Sequence, residues 1–496
     1  MTASGNARWI ALIQMSRIGV QILCVTVLSR LLAPGDFGLV AMALAVTNFG
    51  NLLRDMGVAA AVIQKPRLDS RTIATAFWMT AAVGVLLGLL FLLTAPLVAK
   101  LMQAQDLVGL LRILATIFPI YGVALVQQAL LERHGQFATV ARVEITSAAA
   151  GLGVALLAAA GGAGAYSLAY QSVAIAGLTS LQLLALSDWK PRASWGAREF
   201  RELWRFGSHV SGSNVISYVA RNVDSVIIGR VLGAASLGPY SIAYRIMLFP
   251  LYNLAFVATR ALLPVMSRAA AGAGEPKAPI VHLYLRVLST IAFFTAPLMA
   301  GLFVLRAPFV EVFLGPRWHQ VSELIVWLAP TGFVQSLITP SGSVFVALGR
   351  PDRLLKIGAA GAALMVISFL VGVQGGVVRV AQCYFIASLL SAVLWFTTTL
   401  RVLDCSPRRL FAALLRPVAM TFAMGVSVWL LALLFDPTSP RMLELGVLSV
   451  AGAALYASLA LVASPSIVTD VRALVFGRRL GRAPLRPLVL PDEGVR

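Results

Sequence analysis

The chain has 496 residues, 59% of them hydrophobic and only 12% charged, where a soluble domain carries about 25% charged residues. That composition excludes a soluble globular protein and predicts an all-α polytopic membrane protein, because apolar runs long enough to cross about 30 Å of hydrocarbon as a helix recur throughout. The net charge of +20 would point to nucleic acid in a water-soluble chain, but here it must first be set against topology.

The opening stretch, "MTASGNARWIALIQMSRIGV", has no small-residue cleavage site, and Gln14, Arg17 and Gln21 interrupt its apolar run. It is expected to be a retained first helix and not a cleaved leader. From there about fourteen spans are expected. Six lie near 9–32, 37–53, 73–98, 108–131, 143–161 and 165–186. Six more lie near 208–232, 239–262, 281–305, 323–347, 354–374 and 379–400, and two near 412–435 and 443–463. The organisation expected is a six-helix bundle over 1–190, a cytoplasmic linker at 191–206, a second bundle over 207–405, two further helices over 406–463 and a basic tail at 464–496.

With the N-terminus inside, the inner loops collect roughly 28 Lys and Arg against about six outside, which fits the positive-inside rule. "DWKPRASWGAREFRELWR" and "GRPDRLLK" are among the richest segments. The basic excess is thus mainly a topology signal, reinforced by contact with anionic headgroups, and nucleic acid is not an expected partner. Both termini are expected in the cytoplasm. No extramembrane segment exceeds about 35 residues, too short for a soluble catalytic domain.

The halves echo each other. An ungapped shift of 200 residues lays "SRLLAPGDFGLVAMA" from Ser29 over "GRVLGAASLGPYSIA" from Gly229, matching Arg30 with Arg230, Leu32 with Leu232 and Gly38 with Gly238. "FLLTAPLV" around Pro96 and "FVLRAPFV" around Pro308 form a second echo at a slightly different shift. Leu and Ala matches alone would arise by chance; the Arg, Leu and Gly spacing in corresponding loops carries the repeat. Six spans per half keep both halves in one orientation, so the repeat is parallel, about a pseudo-twofold axis along the membrane normal, with a central cavity between two bundles.

Asn214, Ser217, Arg221 and Asp224 recur at three or four residues and share one face of the seventh span. The shift takes them to Gln14, Arg17, Gln21 and Cys24 on the first. A lipid-facing arginine at mid-depth would cost at least about 2.5 kcal/mol, so both stripes are expected to line the cavity. Asn48, Asn51 and Arg54 near the inner end of the second span, Arg112 and the pair Gln127 and Gln128 in the fourth, and Tyr244 and Arg245 in the eighth extend the set. Arginines outnumber acids, which suits an anionic ligand such as a phosphate or pyrophosphate held by guanidinium forks.

Plainer readings stand beside these. Arg221 and Asp224 fit an i, i+3 structural ion pair as well as a ligand role. Arg54, Arg112 and Arg245 lie near helix ends, where long side chains snorkel. Tyr240 and Tyr252 fit an interfacial belt, and Gly84 and Gly88 fit close helix packing. Asp224, read as the one acid at mid-membrane, fits either proton or sodium coupling or simple pairing. His134, His209, His282 and His319 are isolated, Cys24, Cys383 and Cys405 are scattered, and no GxxxxGK[ST] loop occurs. No catalytic residue, metal site or cofactor is therefore expected.

"RNVDSVIIGRVLGAASLGPYSIAYRIMLFPLYNL", together with "LSRLLAPGDFGLVAMA", "DMGVAAAVIQKPRLDSRTIATAFW" and "ALLERHGQFATVARVEITSAAAG", resembles the bacterial polysaccharide transporter family of lipid-linked oligosaccharide flippases, over nearly the whole chain through about residue 400. The resemblance implies the superfamily shared with lipid II flippases and multidrug and toxin extrusion exporters, and alternating access. It further implies translocation of an undecaprenyl-pyrophosphate-linked repeat unit across the bacterial inner membrane for exopolysaccharide, capsule or O-antigen synthesis, alongside polysaccharide polymerase and chain-length proteins. "NLLRDMG" looks like the end of the second helix in lipid II flippases, which would give Arg54 a pyrophosphate-binding role, with Arg17 similarly placed. The acidic cation site of multidrug exporters is not recognisable. Lipid II or drug export within the superfamily, or a polymerase, ligase or scaffold role in polysaccharide assembly, are the competing readings.

Overall fold

The computed structural model describes residues 19–20, 22–65, 68–251, 255, 266–267, 278–436 and 439–463, with the backbone alone at 206–217 and 219–221. Every regular element among them is helical. The chain divides into two compact units, one formed by Met1–Phe249, Arg306–Thr331 and Asp352–Leu394, the other by Pro250–Leu305, Gly332–Pro351 and Trp395–Arg496.

In the first unit α1 (Ile22–Leu31) turns into α2 (Pro34–Asp55). Pro34 opens α2 where its missing N–H costs nothing, and the Asp36 carboxylate accepts the backbone N–H groups of Ala33 at 2.9 Å and Ala165 at 3.0 Å. Met56 and Gly57 then take left-handed φ angles of 43° and 66°, conformations that stop a helix and that glycine alone adopts freely. The chain restarts as α3 (Val58–Gln64). α4 (Ser70–Leu101) crosses the short α6 (Ile117–Gly122) at backbone distance. A Cβ on Gly84 would meet the Phe118 carbonyl at 2.6 Å, and one on Gly122 the Thr80 carbonyl at 2.7 Å. Gly88 likewise faces the Pro119 ring, so both α4 glycines serve close packing.

The span expected as one piece over 108–131 is broken into α5 (Leu107–Ala115), α6 and α7 (Leu125–Arg133), with a 44° bend before α7. Pro119 removes a ladder donor and crowds the Ala115 carbonyl, which accounts for the first break. α8 (Phe137–Ala160) and α9 (Tyr166–Leu186) form an antiparallel pair whose turn uses Gly162 and Gly164 at positive φ. α10 (Ala197–Leu232) is far longer than the span expected at 208–232, because it begins in the linker.

α11 (Ala234–Pro250) meets the start of α2 in a reciprocal contact. A Cβ on Gly38 would run into the Ala234 carbonyl, and a Cβ on Gly238 into the Pro34 carbonyl. These four positions are two pairs separated by 200 residues. Below them α13 (Arg306–Phe313) and the following turn grip the α1–α2 corner. Trp318, fully buried, donates its Nε1–H to the Ser29 carbonyl at 2.9 Å and meets the Phe37 ring edge-on at 5.1 Å. Arg30 donates to the Val312 carbonyl at 2.8 Å. α14 (His319–Ala347), α15 (Pro351–Gly372) and α16 (Val377–Leu403) each contribute a part to this unit.

The second unit holds α12 (Ala278–Val304), α17 (Pro407–Ala432) and α18 (Arg441–Ala463). Phe293, Met420, Met424 and Leu448 form its apolar centre, and the Tyr456 hydroxyl donates to the Phe293 carbonyl at 2.8 Å. Tyr284 and Ser341 share a 2.8 Å hydrogen bond that joins α12 to α14.

Among the described residues ten helices are long and apolar enough to cross a membrane, and the bent pair in 107–133 makes an eleventh. Fourteen were expected. α10 is long enough, but its last eighteen residues carry Arg221, Asp224 and Arg230, and the expected spans at 9–32 and 239–262 lie partly outside the described residues. Leu86, Leu89, Leu93 and Leu97 are exposed along one side of α4, as lipid-facing positions are. The protein is a multi-pass membrane protein.

Candidate functional site

The break after α2 sets the site. It leaves Arg54 in the last turn of the helix, where a cation is favoured by the exposed carbonyls. There Arg54 lines a cavity of about 410 Å³ within the first unit, shared with Tyr121, Gln128, Glu144 and Thr179. The guanidinium carbon lies 5.0 Å from the centre of the Tyr121 ring, a cation–π distance. Nη1 donates to the Asn51 side-chain oxygen at 3.2 Å. Nε is buried without a hydrogen-bond partner among the described residues, so the fork retains a donor for an incoming acceptor. Gln128 is tied to Glu132 at 2.9 Å on α7.

Asp224 stands elsewhere in the same unit. Its carboxylate, 2% exposed, accepts the Ser225 backbone N–H at 2.7 Å and the Tyr240 hydroxyl at 3.1 Å. Tyr240 stacks on Tyr244 at 5.7 Å between ring centres, Tyr244 lies 6.1 Å from Tyr384, and Tyr384 lies 5.1 Å from Phe369. The carboxylate therefore ends a row of phenols that passes from α11 to α16. Tyr240 is completely buried, so it is not the interfacial belt residue expected; Tyr252 lies outside the described residues. Arg245 is exposed on α11. It lies within electrostatic reach of Cys24, whose sulfur accepts from Gln171 Nε2 at 3.2 Å.

The structure thus puts Arg54 on the cavity with Asn51 hydrogen-bonded behind it, and gathers Asp224 with Tyr244 in an aromatic cluster. Arg112 is exposed on α5 and does not line the cavity. Asn214 and Arg221 lie on the α10 backbone face that also carries Asp224, their side chains outside the described set, as are Gln14, Arg17 and Gln21 altogether. Gln127 is fully buried, with neither amide atom bonded among the described residues. Sequence reasoning missed Tyr121 and Glu144. Glu144 was legible as an acid near the start of the apolar run of α8.

Solved structures of membrane transporters share this many-span helical fold. The lipid II flippase MurJ in an inward closed conformation superposes with a TM-score of 0.71 at 13% identity, covering 94% of this chain and 100% of its own. An inward-facing multidrug resistance MATE transporter gives 0.62 at 16% identity, covering 79% and 94%. The family is given by sequence: the model described as polysaccharide biosynthesis protein matches residues 27–323, and the chain belongs to that family, as the resemblance implied. Curated relatives match over two thirds or more of the chain. The teichuronic acid biosynthesis protein TuaB of Bacillus subtilis is 27% identical over 93% of this chain and 95% of its own. The lipopolysaccharide biosynthesis protein WzxC of Escherichia coli is 24% identical over 86% and 88%. The succinoglycan biosynthesis transport protein ExoT of Rhizobium meliloti is 28% identical over 68% and 67%. The chain is a multi-pass membrane protein of the polysaccharide biosynthesis family, with the fold of those solved transporters.

Proposed function

We propose that the protein moves undecaprenyl-pyrophosphate-linked oligosaccharide repeat units from the cytoplasmic to the periplasmic leaflet of the bacterial inner membrane by alternating access, for exopolysaccharide, capsule or O-antigen synthesis. The observation that carries the substrate class is Arg54. A guanidinium with an unused donor, held over Tyr121 in a cavity of about 410 Å³, suits a phosphate-sized anion better than a neutral drug. The names of the relatives, all of polysaccharide or teichuronic acid biosynthesis, support a sugar-bearing cargo.

In this reading two six-helix bundles repeat in parallel about a pseudo-twofold axis, and the reciprocal contacts of Gly38 with Ala234 and Gly238 with Pro34 support it. Arg17, Gln14, Gln21, Asn214, Arg221, Tyr244 and Arg245 complete the cationic path, with Arg112 at its margin. Asp224 couples transport to a proton or sodium gradient. Both termini are cytoplasmic, and the polymerase and chain-length proteins receive the product.

The test is reconstitution with a labelled polyprenyl-pyrophosphate sugar and measurement of its leaflet exposure, wild type against Arg54→Ala, Arg17→Ala and Arg221→Ala. Loss of movement in Arg54→Ala is expected. Unchanged movement in all three would overturn the arginine path, and movement of lipid II or a cationic drug in place of the sugar carrier would overturn the cargo.

A further inference from the structure

Residues 187–205, the α9–α10 connection together with the first turns of α10, form a strap stapled to the start of α4. Arg71 donates from Nε and Nη2 to the Trp195 carbonyl at 3.3 and 3.1 Å, and Trp78 donates from Nε1 to the Arg192 carbonyl at 2.9 Å. The Gly196 N–H donates to Thr75 Oγ1 at 3.0 Å. Lys65 pairs with Glu202 at 3.1 Å. The strap therefore has a fixed depth. α4 has 32 residues, about 48 Å of helix against about 30 Å of hydrocarbon, so its first turns, where the strap is stapled, stand at the level of the headgroups.

Its outer surface matches that depth. Trp195 and Trp204 flank Phe200 at 5.3 and 5.9 Å between ring centres and are each about half exposed. Lys190, Arg192, Arg198, Arg201 and Arg205 are all exposed. Of the opposing acids, Glu202 is already engaged by Lys65 and Arg198. Half-exposed indoles amid surface cations favour the boundary between hydrocarbon and headgroup, and the cations favour an anionic leaflet.

We infer that the 187–205 strap is a docking surface for anionic phospholipid headgroups, distinct from the path of the transported lipid. Phosphate oxygens meet the arginines while Trp195 and Trp204 enter the acyl boundary. The bound lipids hold down the strap and, through Lys65, the end of α3.

The test uses the full chain in nanodiscs of phosphatidylcholine alone or mixed with phosphatidylglycerol, with no sugar carrier present, so that its outcome is separable from the flippase assay. Lipids retained after gentle detergent extraction are counted by native mass spectrometry. Wild type is expected to retain phosphatidylglycerol preferentially, and Arg192→Gln/Arg201→Gln/Arg205→Gln to lose that preference by at least about tenfold. The matching triple Lys variant keeps it and guards against a folding defect. Arg353→Gln/Lys356→Gln at the start of α15, where Arg353 is half-buried and Lys356 exposed, keeps it as well. Equal retention of the two lipids by wild type, or an equal loss in the α15 variant, would overturn the inference, as would displacement of the lipid by millimolar inorganic phosphate.

Discussion

Replacing Gly38 by Ala tests the α2–α11 crossing directly. The added methyl would collide with the Ala234 carbonyl, a backbone atom that cannot rotate away, so the helices must separate. Overpacking of this kind costs about 1–3 kcal/mol or more, and the immovable obstacle places Gly38→Ala at or above the upper end. Against that, Ala gains about 1 kcal/mol over Gly in a helix interior. The net expectation is a loss of about 2 kcal/mol, with Gly238→Ala the same against the Pro34 carbonyl. Gly153→Ala and Gly177→Ala, whose new methyls meet nothing within 4 Å, are expected to be neutral or stabilising by up to about 1 kcal/mol. The assay is reversible unfolding in mixed micelles titrated with a denaturing detergent. Because both glycines serve one crossing, the first substitution opens the gap the second needs. The double variant should therefore lose less than the sum, with a coupling of about 0.5–3 kcal/mol. Strict additivity, or a Gly38→Ala variant as stable as Gly153→Ala, would refute the reciprocal contact.

Arg54→Lys, which keeps charge but loses the planar fork over Tyr121, should slow leaflet exposure of a pyrophosphate-linked carrier by about tenfold, while Arg54→Ala should go further; equal rates for the three would count against the fork. Asp224→Asn should make the transport rate indifferent to an imposed proton or sodium gradient while leaving downhill movement measurable, and a retained gradient response would remove its coupling role. Tyr240→Phe strips a donor from a buried carboxylate and should destabilise by about 1–3 kcal/mol, read in the same detergent titration; a smaller loss in an Asp224→Asn background would confirm the pair. The Lys65 hydrogen bond, with Arg198 beside it, holds the Glu202 carboxyl below its ordinary 4.5. A depressed folded value means the latch contributes above that pH and is lost as pH falls through the folded value. Protection factors at 187–205, with the intrinsic pH dependence of amide exchange divided out, should fall on acidification in wild type and change less in Glu202→Gln.

Much of the membrane fold is written in runs that periodicity reads well, such as 73–98 within α4 and 165–186 within α9. The fourth span was read as one piece although Pro119 marks its first break; the 44° bend after Gly122 depends on the close approach of that glycine to α4, which spacing does not show. The 200-residue echo picked out Gly38 and Gly238, but which backbone each would touch is a matter of packing and is not encoded in spacing. Arg54 could be found as a charge near a helix end; its orientation over Tyr121 could not, since those residues are brought together by the α2 break and the α6–α7 bend. Asp224 could be found by the cost of burying a carboxylate, whereas its hydroxyl partner sits sixteen residues on, in another helix, where no helical periodicity points.

The grip of Trp318 on Ser29 also governs how the chain is made. The two residues are 289 positions apart, and at synthesis rates of 5–20 residues per second the first helical corner waits roughly 15–60 s for its lid to be translated. During that interval Phe37 and the Ser29 carbonyl face lipid or translocon instead of an indole. Truncations before residue 318 should therefore leave a chain that inserts but is cleared by membrane proteases, whereas truncations after it should persist.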